Sequence, residues 1–220
     1  MNCAIAIFAK TIGLSGVKTR LAAGLGTANA EVFYKLSVEA TQELVADAQS
    51  KADVHPYWVL AEEAAPALPQ WGEFPAFWTG EGDLGRRIAN VSETLFEKHD
   101  AVMLIGTDSP QLTAAQIVEA VTMLKDNRED CIVGPADDGG FYLHLVGKPI
   151  PREVWESVTY SQETTLAQLM EKVLRKHHFL ATEQDVDVES DLAGLQASLS
   201  ENVVNLLPAQ KALLEWLNNR

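Results

Sequence analysis

The sequence predicts an α/β fold in which a mostly parallel sheet is covered by helices on both faces. Strand-like apolar segments alternate along the chain with segments whose apolar residues recur at helical spacing. The two clearest strand candidates, residues 2–9 and 101–105, are continuous apolar runs, as is typical of strands buried on both faces. No repeat or linker divides the chain. We therefore expect a single domain over residues 1–220, with a C-terminal helical extension from about residue 200.

The first half of the chain begins with a strand and a loop rich in Gly, Thr and Ser. The expected elements in this half are a strand at 2–9, the loop at 10–26, a helix at 28–48, a strand at 53–60, an irregular segment at 61–82 with a short strand at 74–78, a helix at 84–98 and a strand at 101–105. Pro56 lies inside the second strand. Because proline cannot donate to a strand ladder, it predicts an edge strand or a bulge there.

The second half continues the alternation. The expected elements are a helix from the cap Thr113 to about residue 125, strands at 131–134 and 141–146, a helix at 161–175, a short strand at 178–182 and helices at 189–199 and 208–217. We expect Ser161 to cap its helix, although residues 160–164 can also shape an acceptor pocket. The last helix can pack on its own domain or on a second copy. We expect the first, and a homodimer is left open.

Composition excludes several classes of partner. The net charge is −14, which argues against general affinity for nucleic acid or anionic membranes. No apolar run approaches the roughly 18 residues that a membrane-spanning helix needs. The two cysteines, Cys3 and Cys131, lie in apolar runs and are expected in the core, not in disulfides. Together these features predict a cytoplasmic protein.

A loop after the first strand carries an unusual concentration of positive charge. Residues 1–30 contain three basic residues and no Asp or Glu. Glycines in this loop let backbone N–H groups approach phosphate oxygens. The loop is not a P-loop, because Val17 separates Gly16 from Lys18. An ordinary surface loop with solvated lysines is the alternative. The residues expected at the phosphates are Lys10, Gly16, Lys18, Thr19 and Arg20.

A carboxylate follows the strand at 101–105. Asp108 stands in the sequence Gly-Thr-Asp-Ser-Pro, where the chain leaves the strand toward the ligand crevice of such folds. Carboxylate oxygens suit Mg²⁺ or Mn²⁺, which bridge them to phosphates. The competing interpretation is an Asp that only stabilises the turn before Pro110.

Two other acidic segments offer further candidates. Asp138 precedes two glycines in a tight turn, and a turn of this composition is also a common hairpin. Acidic residues alternate from 185 to 191, so that several share a face in extended chain. Asp187 is the preferred second metal ligand among them, whereas Asp191 suits the start of a helix, where acids favour the dipole.

A second Gly-rich turn, at residues 80–85, leads into a helix. Arg86 or Arg87 can contact an anion or the nucleotide from this helix, and we favour Arg87. Plain helix entry would explain the same pattern without any function.

The order of these motifs resembles the DUF2064 family. The resemblance covers about residues 2–195 and rests on Phe8-Ala-Lys with Gly-Val-Lys-Thr-Arg-Leu21, then Gly82-Asp-Leu-Gly85, Gly106-Thr-Asp-Ser-Pro110, residues 134–142 and the acidic segment from Asp185. That family is similar to GT-A type glycosyltransferases and to nucleotidyltransferases such as the molybdenum-cofactor guanylyltransferase. The resemblance implies a Rossmann-like GT-A (nucleotide-diphospho-sugar transferase) sandwich. It implies Lys10, Lys18 and Arg20 at the phosphates, Asp108 at the metal and Asp187 as a second ligand.

The sequence therefore predicts a metal-dependent transferase that uses a nucleotide-activated donor and a small-molecule acceptor. Glycosyl transfer from an NDP-sugar is the first expectation, with Lys18, Asp108 and Asp138 as catalytic residues and Asp138 as a base or positioning group. Nucleotidyl transfer from an NTP to a phosphorylated acceptor is the close alternative. A nucleotide-binding protein without catalysis is the third.

Overall fold

The computed structural model describes residues 1–126 and 130–220, and seven strands in this part of the chain form one sheet. The order across the sheet is β3-β2-β1-β4-β6-β5-β7. The strands are β1 (Cys3–Ala9), β2 (Val54–Leu60), β3 (Ala76–Trp78), β4 (Ala101–Ile105), β5 (Cys131–Pro135), β6 (Phe141–Val146) and β7 (His177–Phe179).

Only β6 runs against the other strands. It pairs antiparallel with β4 and β5, whereas the pairings of β1 with β2 and β4, of β2 with β3 and of β5 with β7 are parallel. The prediction of a mostly parallel sheet is confirmed. Because β1, β4 and β5 point the same way, the loops that follow them leave the sheet at one edge. Ligands bind beyond this carboxyl edge in open α/β sheets.

Eight α-helices occur in the described ranges. They are α1 (Thr19–Leu25), α2 (Thr27–Gln49), α3 (Leu84–Phe96), α4 (Ala114–Asp126), α5 (Arg152–Glu156), α6 (Thr165–Lys172), α7 (Asp191–Glu201) and α8 (Pro208–Asn218). Short 3₁₀ helices lie at Ala65–Ala67, Pro69–Trp71 and Val203–Asn205. The prediction of a loop over residues 10–26 is wrong in its second half, where α1 forms and Leu21 is completely buried.

The segment before α6 also differs from the prediction. A helix was expected from Ser161, but Ser161 has a φ of 58°, which cannot continue a right-handed helix. The hydroxyl of Thr165 donates toward the carbonyls of Thr159 and Gln162, at 3.0 and 2.8 Å, and this fixes a turn instead. The prediction that Ser161 caps the helix is wrong, and the short helix α5 was not predicted at all.

Pro56 lies in an interior strand, yet its missing N–H leaves no gap in the ladder. β2 lies between β1 and β3, and Pro56 is opposite Ile5 of β1. On the other side, β3 pairs only with residues 58–60. The first half of β2 therefore has a free outer side, where proline is tolerated. The edge that Pro56 predicted is therefore found only along the first half of β2, and not along the whole strand.

The sheet is buried on both faces. Alternate residues of β1 separate into two apolar clusters, with Cys3, Ile5 and Ile7 in one and Ala4 and Ala6 in the other. Both cysteines are buried and free, as expected. A third cluster joins α1, α2, α7 and α8, and in it Leu213, Leu214 and Leu217 of α8 pack on α2 and α7. No helix among the described residues has the length and apolar character needed to cross a bilayer.

Candidate active site

A cavity of about 720 Å³ opens at the carboxyl edge of the sheet. Its size falls within the range of small-molecule and cofactor sites, about 300–1,000 Å³. The cavity brings together every residue that the sequence analysis assigned to the site, which are Lys10, Gly16, Lys18, Thr19, Arg20, Arg87, Asp108, Asp138 and Asp187. Although these residues are distant along the chain, they meet because parallel strands deliver their following loops to one edge.

The loop after β1 is held at its base by Tyr34 of α2. The Lys10 backbone N–H donates to the Tyr34 hydroxyl at 2.7 Å, and that hydroxyl donates to the Lys10 carbonyl at 2.8 Å. Burial raises the pKa of Tyr34 far above its ordinary value, so its hydroxyl stays protonated and can donate. The Lys10 side chain is exposed, and no carboxylate of the described chain pairs with it.

Lys18 is the N-cap of α1 and has a left-handed backbone conformation, with φ 44° and ψ 45°. Its side chain is only 5% exposed. The ammonium lies 2.5 Å from Asp108 Oδ1 and donates to the Val186 carbonyl, also at 2.5 Å. It lies 5.8 Å from the centre of the Phe33 ring. A charge this deeply buried must be paired and hydrogen-bonded, and these contacts meet that requirement.

Asp108 connects two loops at the cavity floor. Its side chain, which accepts the Lys18 contact, is 47% exposed and so remains open to a ligand. Its carbonyl accepts a hydrogen bond from the Val186 N–H at 3.0 Å. The segment after β7 is thereby held beside the loop after β4.

Arg20 and Asp187 form a second pair of the same kind. Arg20 Nη1 lies 3.0 Å from Asp187 Oδ2, and both side chains are partly exposed. Asp191 accepts hydrogen bonds from the N–H groups of Asp187 and Val188, both at 2.8 Å. The expected role of Asp191 at a helix start is confirmed, because α7 begins there.

Asp185 is the residue that the sequence analysis undervalued. It lines the cavity, and the hydroxyl of Ser109 donates to its carboxyl. Burial raises the pKa of Asp185 to about 7, and the negative charges of Asp108 and Asp138 add to that rise. The alternating acids at 185–191 pointed to this segment, but only the fold shows that Asp185 is the one that contacts Ser109 at the cavity.

Asp138 lies in the tight turn between β5 and β6. Its Oδ1 accepts a hydrogen bond from the Gly140 N–H at 2.8 Å. Gly139 has a φ of +87°, and a Cβ added there would lie 2.1 Å from the Glu163 carbonyl oxygen. Only glycine fits this close approach. The turn and the segment before α6 are therefore packed together as one side of the cavity.

Arg87 reaches the cavity from α3, whereas Arg86 does not line it. Arg87 Nε donates to the Gly82 carbonyl at 2.9 Å, and Nη1 donates to the Ala61 carbonyl at 3.1 Å. The guanidinium is thus held by backbone carbonyls and pairs with no carboxylate in the described ranges. Asp83 caps α3 by accepting from the Arg86 N–H at 3.0 Å.

The carboxylates have the right donor chemistry for Mg²⁺ or Mn²⁺, but they do not form a finished metal cage. Over residues 1–126 and 130–220, no group of three or more His, Cys, Asp and Glu side chains is placed to hold an ion. Asp108 and Asp187 instead form ion pairs with Lys18 and Arg20, which follow β1. A metal would have to take the place of those cations.

The family model described as "Uncharacterized protein conserved in bacteria (DUF2064)" matches residues 44–162 of the chain. A search of curated proteins found no match.

Solved structures establish the fold. A crystal structure from Desulfovibrio desulfuricans G20, provisionally named a nucleotide-diphospho-sugar transferase, covers 100% of this chain and 98% of its own, with a TM-score of 0.84 and 22% identity. The 4-diphosphocytidyl-2C-methyl-D-erythritol synthase from Anaerococcus prevotii DSM 20548 covers 90% and 96%, with a TM-score of 0.57 and 10% identity. Rv0371c from Mycobacterium tuberculosis H37Rv, in complex with manganese, covers 88% and 97%, with a TM-score of 0.51 and 12% identity. At these identities the likeness shows the fold and not the activity.

Proposed function

The chain belongs to the DUF2064 family, and we propose that it is a metal-dependent transferase that uses a nucleotide-activated donor. The observation that carries this proposal is the pairing of two loop cations with two carboxylates at one cavity, Lys18 with Asp108 and Arg20 with Asp187. When a diphosphate and a divalent cation bind, the two cations would pair with the diphosphate and the two carboxylates with the metal. The names of the structurally similar transferases support the same class.

The loop after β1 would hold the phosphates. Lys10 pairs with no carboxylate among the described residues. The ammonium of Lys18 and the guanidinium of Arg20 would turn from Asp108 and Asp187 toward phosphate oxygens. Guanidinium and ammonium groups bind such oxygens through charge-assisted hydrogen bonds. Held there, the three cations would offset negative charge that develops on the departing diphosphate.

Asp108 and Asp187 would hold Mg²⁺ or Mn²⁺ with their oxygens. When bound, the ion would act as a Lewis acid and offset negative charge on the diphosphate. Burial raises the pKa of Asp185 to about 7, so this carboxyl beside the proposed metal ligands takes up a proton more readily than an ordinary aspartate. Carboxylate oxygen suits both metals, so the chain itself favours neither.

Glycosyl transfer is the first candidate reaction. The oxygen of an acceptor hydroxyl would form a bond to the anomeric carbon of the sugar, while the bond from that carbon to the diphosphate oxygen breaks and the nucleoside diphosphate leaves. The hydroxyl proton would pass to the Asp138 carboxylate, whose second oxygen has no partner in the described chain. The two acidic groups on that side, Asp138 and Glu163, favour a hydroxyl acceptor over a phosphate.

Nucleotidyl transfer is the second candidate. In that reaction an acceptor phosphate oxygen would attack the α-phosphorus of an NTP, and pyrophosphate would leave. Arg87 favours it, because its guanidinium lies at the cavity without a carboxylate partner in the described ranges. The N–H groups that do not bind Gly82 and Ala61 could bind an acceptor phosphate. The cytidylyltransferase-like fold of the Anaerococcus protein is compatible with this chemistry.

Analysis of the products separates the candidates. The protein would be incubated with NDP-sugars and with NTPs, with and without Mg²⁺ or Mn²⁺, in the presence of mixed acceptors. Release of nucleoside diphosphate that Lys18→Met abolishes supports glycosyl transfer, and release of pyrophosphate supports nucleotidyl transfer. If donors bind but neither product forms with any acceptor, the protein is a nucleotide-binding protein without catalysis.

A further inference from the structure

One side of the cavity is formed by residues that no phosphate or metal role uses. This side, which we call the acceptor wall, belongs to the turn between β5 and β6 and to the segment before α6. It comprises Asp138, Phe141, Tyr160, Ser161, Gln162 and Glu163. In the sheet it lies on the β6–β5 side of β4, whereas the phosphate loop follows β1.

The polar side chains of the acceptor wall are free to bind. Ser161, Gln162 and Glu163 are exposed to the cavity, and within the described part of the chain their side chains make no hydrogen bond or ion pair. The side chains of the nearby Thr165, Gln168 and Tyr160, in contrast, hydrogen-bond within the protein. Unpartnered hydroxyl, amide and carboxylate groups at a cavity are suited to a ligand rich in hydroxyl groups.

The backbone of the acceptor wall is held firmly. Ser161 keeps its φ of 58° because Thr165 binds the carbonyls on both sides of it. Gly139 touches the Glu163 backbone, and its carbonyl accepts from the Leu166 N–H at 3.0 Å. A residue held in an unfavourable conformation at a cavity is a frequent feature of binding sites.

The charge on the acceptor wall is negative only. Asp138 and Glu163 belong to it, and it contains no Lys, Arg or His. Four cations of the described chain line the same cavity outside this wall. Lys18 and Arg20 pair with carboxylates, Arg87 donates to backbone carbonyls, and Lys10 belongs to the loop after β1. Like charges brought together in a cleft of reduced dielectric repel, and this is a common means of rejecting wrong partners.

We propose that the acceptor wall binds an uncharged polyhydroxyl acceptor, and that Glu163 makes it reject the phosphorylated form of the same compound. Ser161 and Gln162 donate and accept hydrogen bonds to the hydroxyl groups of this acceptor. This inference rests on the proposed transferase function and specifies its second substrate.

The test compares neutral compounds with their own phosphate esters in the full-length protein saturated with its donor. The probes are glycerol and glycerol phosphate, glucose and glucose phosphate, and inositol and inositol phosphate. Half-saturating concentrations are measured by thermal shift and by stimulated release of nucleoside diphosphate. Each is measured in wild type, in Glu163→Lys and in Glu171→Lys, which reverses an exposed charge on α6 away from the cavity.

We expect at least one neutral probe to bind tenfold or more tightly than its ester. Glu163→Lys should lower that ratio at least tenfold, and Glu171→Lys should leave it unchanged. Three results overturn the inference: preference of the wild type for an ester, an unchanged ratio in Glu163→Lys, or no binding of any neutral probe while the donor binds. Failure of the donor itself to bind would instead contradict the proposed function, so the two failures are distinguishable.

Discussion

The ammonium of Lys18 lies 2.5 Å from the carboxylate of Asp108, which joins the loop after β1 to the loop after β4 across the candidate site. A matching pair joins Arg20 to Asp187 at 3.0 Å. In this arrangement two of the cations that would bind phosphate neutralise the two carboxylates that would bind metal. Nucleotide and metal should therefore bind together better than either binds alone, because each frees the partner of the other.

Replacing Lys18 tests the phosphate side. We expect Lys18→Met to weaken nucleotide binding about tenfold to a hundredfold, since a hydrogen bond to a charged group contributes about 1.5–3 kcal/mol. Isothermal titration calorimetry would measure the change. Lys35→Met is the matched control, because Lys35 is 72% exposed and lies outside the cavity lining. Equal affinities for the two variants would remove Lys18 from the site.

Replacing Asp108 tests the metal side. The change should weaken nucleotide binding in the presence of metal and strengthen it in the absence of metal. Asp108→Asn should abolish the gain in nucleotide affinity that Mg²⁺ or Mn²⁺ provides. It should also tighten metal-free nucleotide binding, because Lys18 loses the carboxylate that competes for it. Titrations with and without metal measure both effects, and Asp47→Asn, which breaks only an i,i+4 pair with Lys51, is the control. A full metal response in Asp108→Asn would exclude Asp108 as the principal ligand.

Alanine substitutions at two glycines with the same φ should reduce stability by different amounts. Gly13 and Gly139 both have a φ of +87°, but an added Cβ meets nothing within 4 Å at Gly13 and meets the Glu163 backbone at Gly139. Gly13→Ala should cost about 1–2 kcal/mol of stability from backbone strain alone. Gly139→Ala should cost about 2–5 kcal/mol, because overpacking adds to the strain. Urea unfolding compares them, and equal losses would show that the close approach is not maintained in solution.

A fully buried histidine of β6, next to Phe141 of the acceptor wall, should make the fold sensitive to acid. His144 is fully buried beside Phe141 and Trp155, and its ring nitrogens have no partner in the described chain. Burial, reinforced by the charges of His177 and Arg175, lowers the pKa of His144 to about 3. Between about pH 3 and 6.5 the unfolded chain binds the proton that the native ring refuses, so stability falls as the pH falls through that window.

His144→Leu removes that contribution. The free energy of unfolding of the variant should decrease less than that of the wild type between pH 7 and about pH 4. His55→Leu, at a ring that is 44% exposed, should follow the wild type. Parallel pH profiles for wild type and His144→Leu would contradict the assignment.

The sequence predicted the strands better than the site's internal pairing. Continuous apolar runs such as residues 101–105 identified buried strands, because in a two-sided core no polar residue interrupts them. The candidate residues met in one cavity because each followed a parallel strand. Which cation would pair with which carboxylate depends on the path of the segment after β7, and no local pattern encodes that path. Asp185 was passed over for this reason, since its hydrogen-bond partner Ser109 is far away in the chain.

The missed elements have local causes that only tertiary contacts reveal. The turn at Ser161 is fixed by the hydroxyl of Thr165, which competes with the helix that residues 161–175 would otherwise form. The helix α1 forms inside a Gly-rich segment because Leu21 is fully buried in the apolar cluster that also contains residues of α2, α7 and α8. Tertiary packing overrides weak helix propensity in such short segments.

The proposed function requires a metal–nucleotide complex to bind at Lys18 and Asp108. Thermal unfolding of wild type and Lys18→Met with NDP-sugars and NTPs, each with and without Mg²⁺ and Mn²⁺, tests it most directly. At about a hundred times its Kd, a ligand stabilises by about 2.7 kcal/mol, a readily measured shift. We expect a shift in wild type that is largest with metal and nucleotide together and is lost in Lys18→Met. No shift with any combination, or the same shift in the variant, would contradict it.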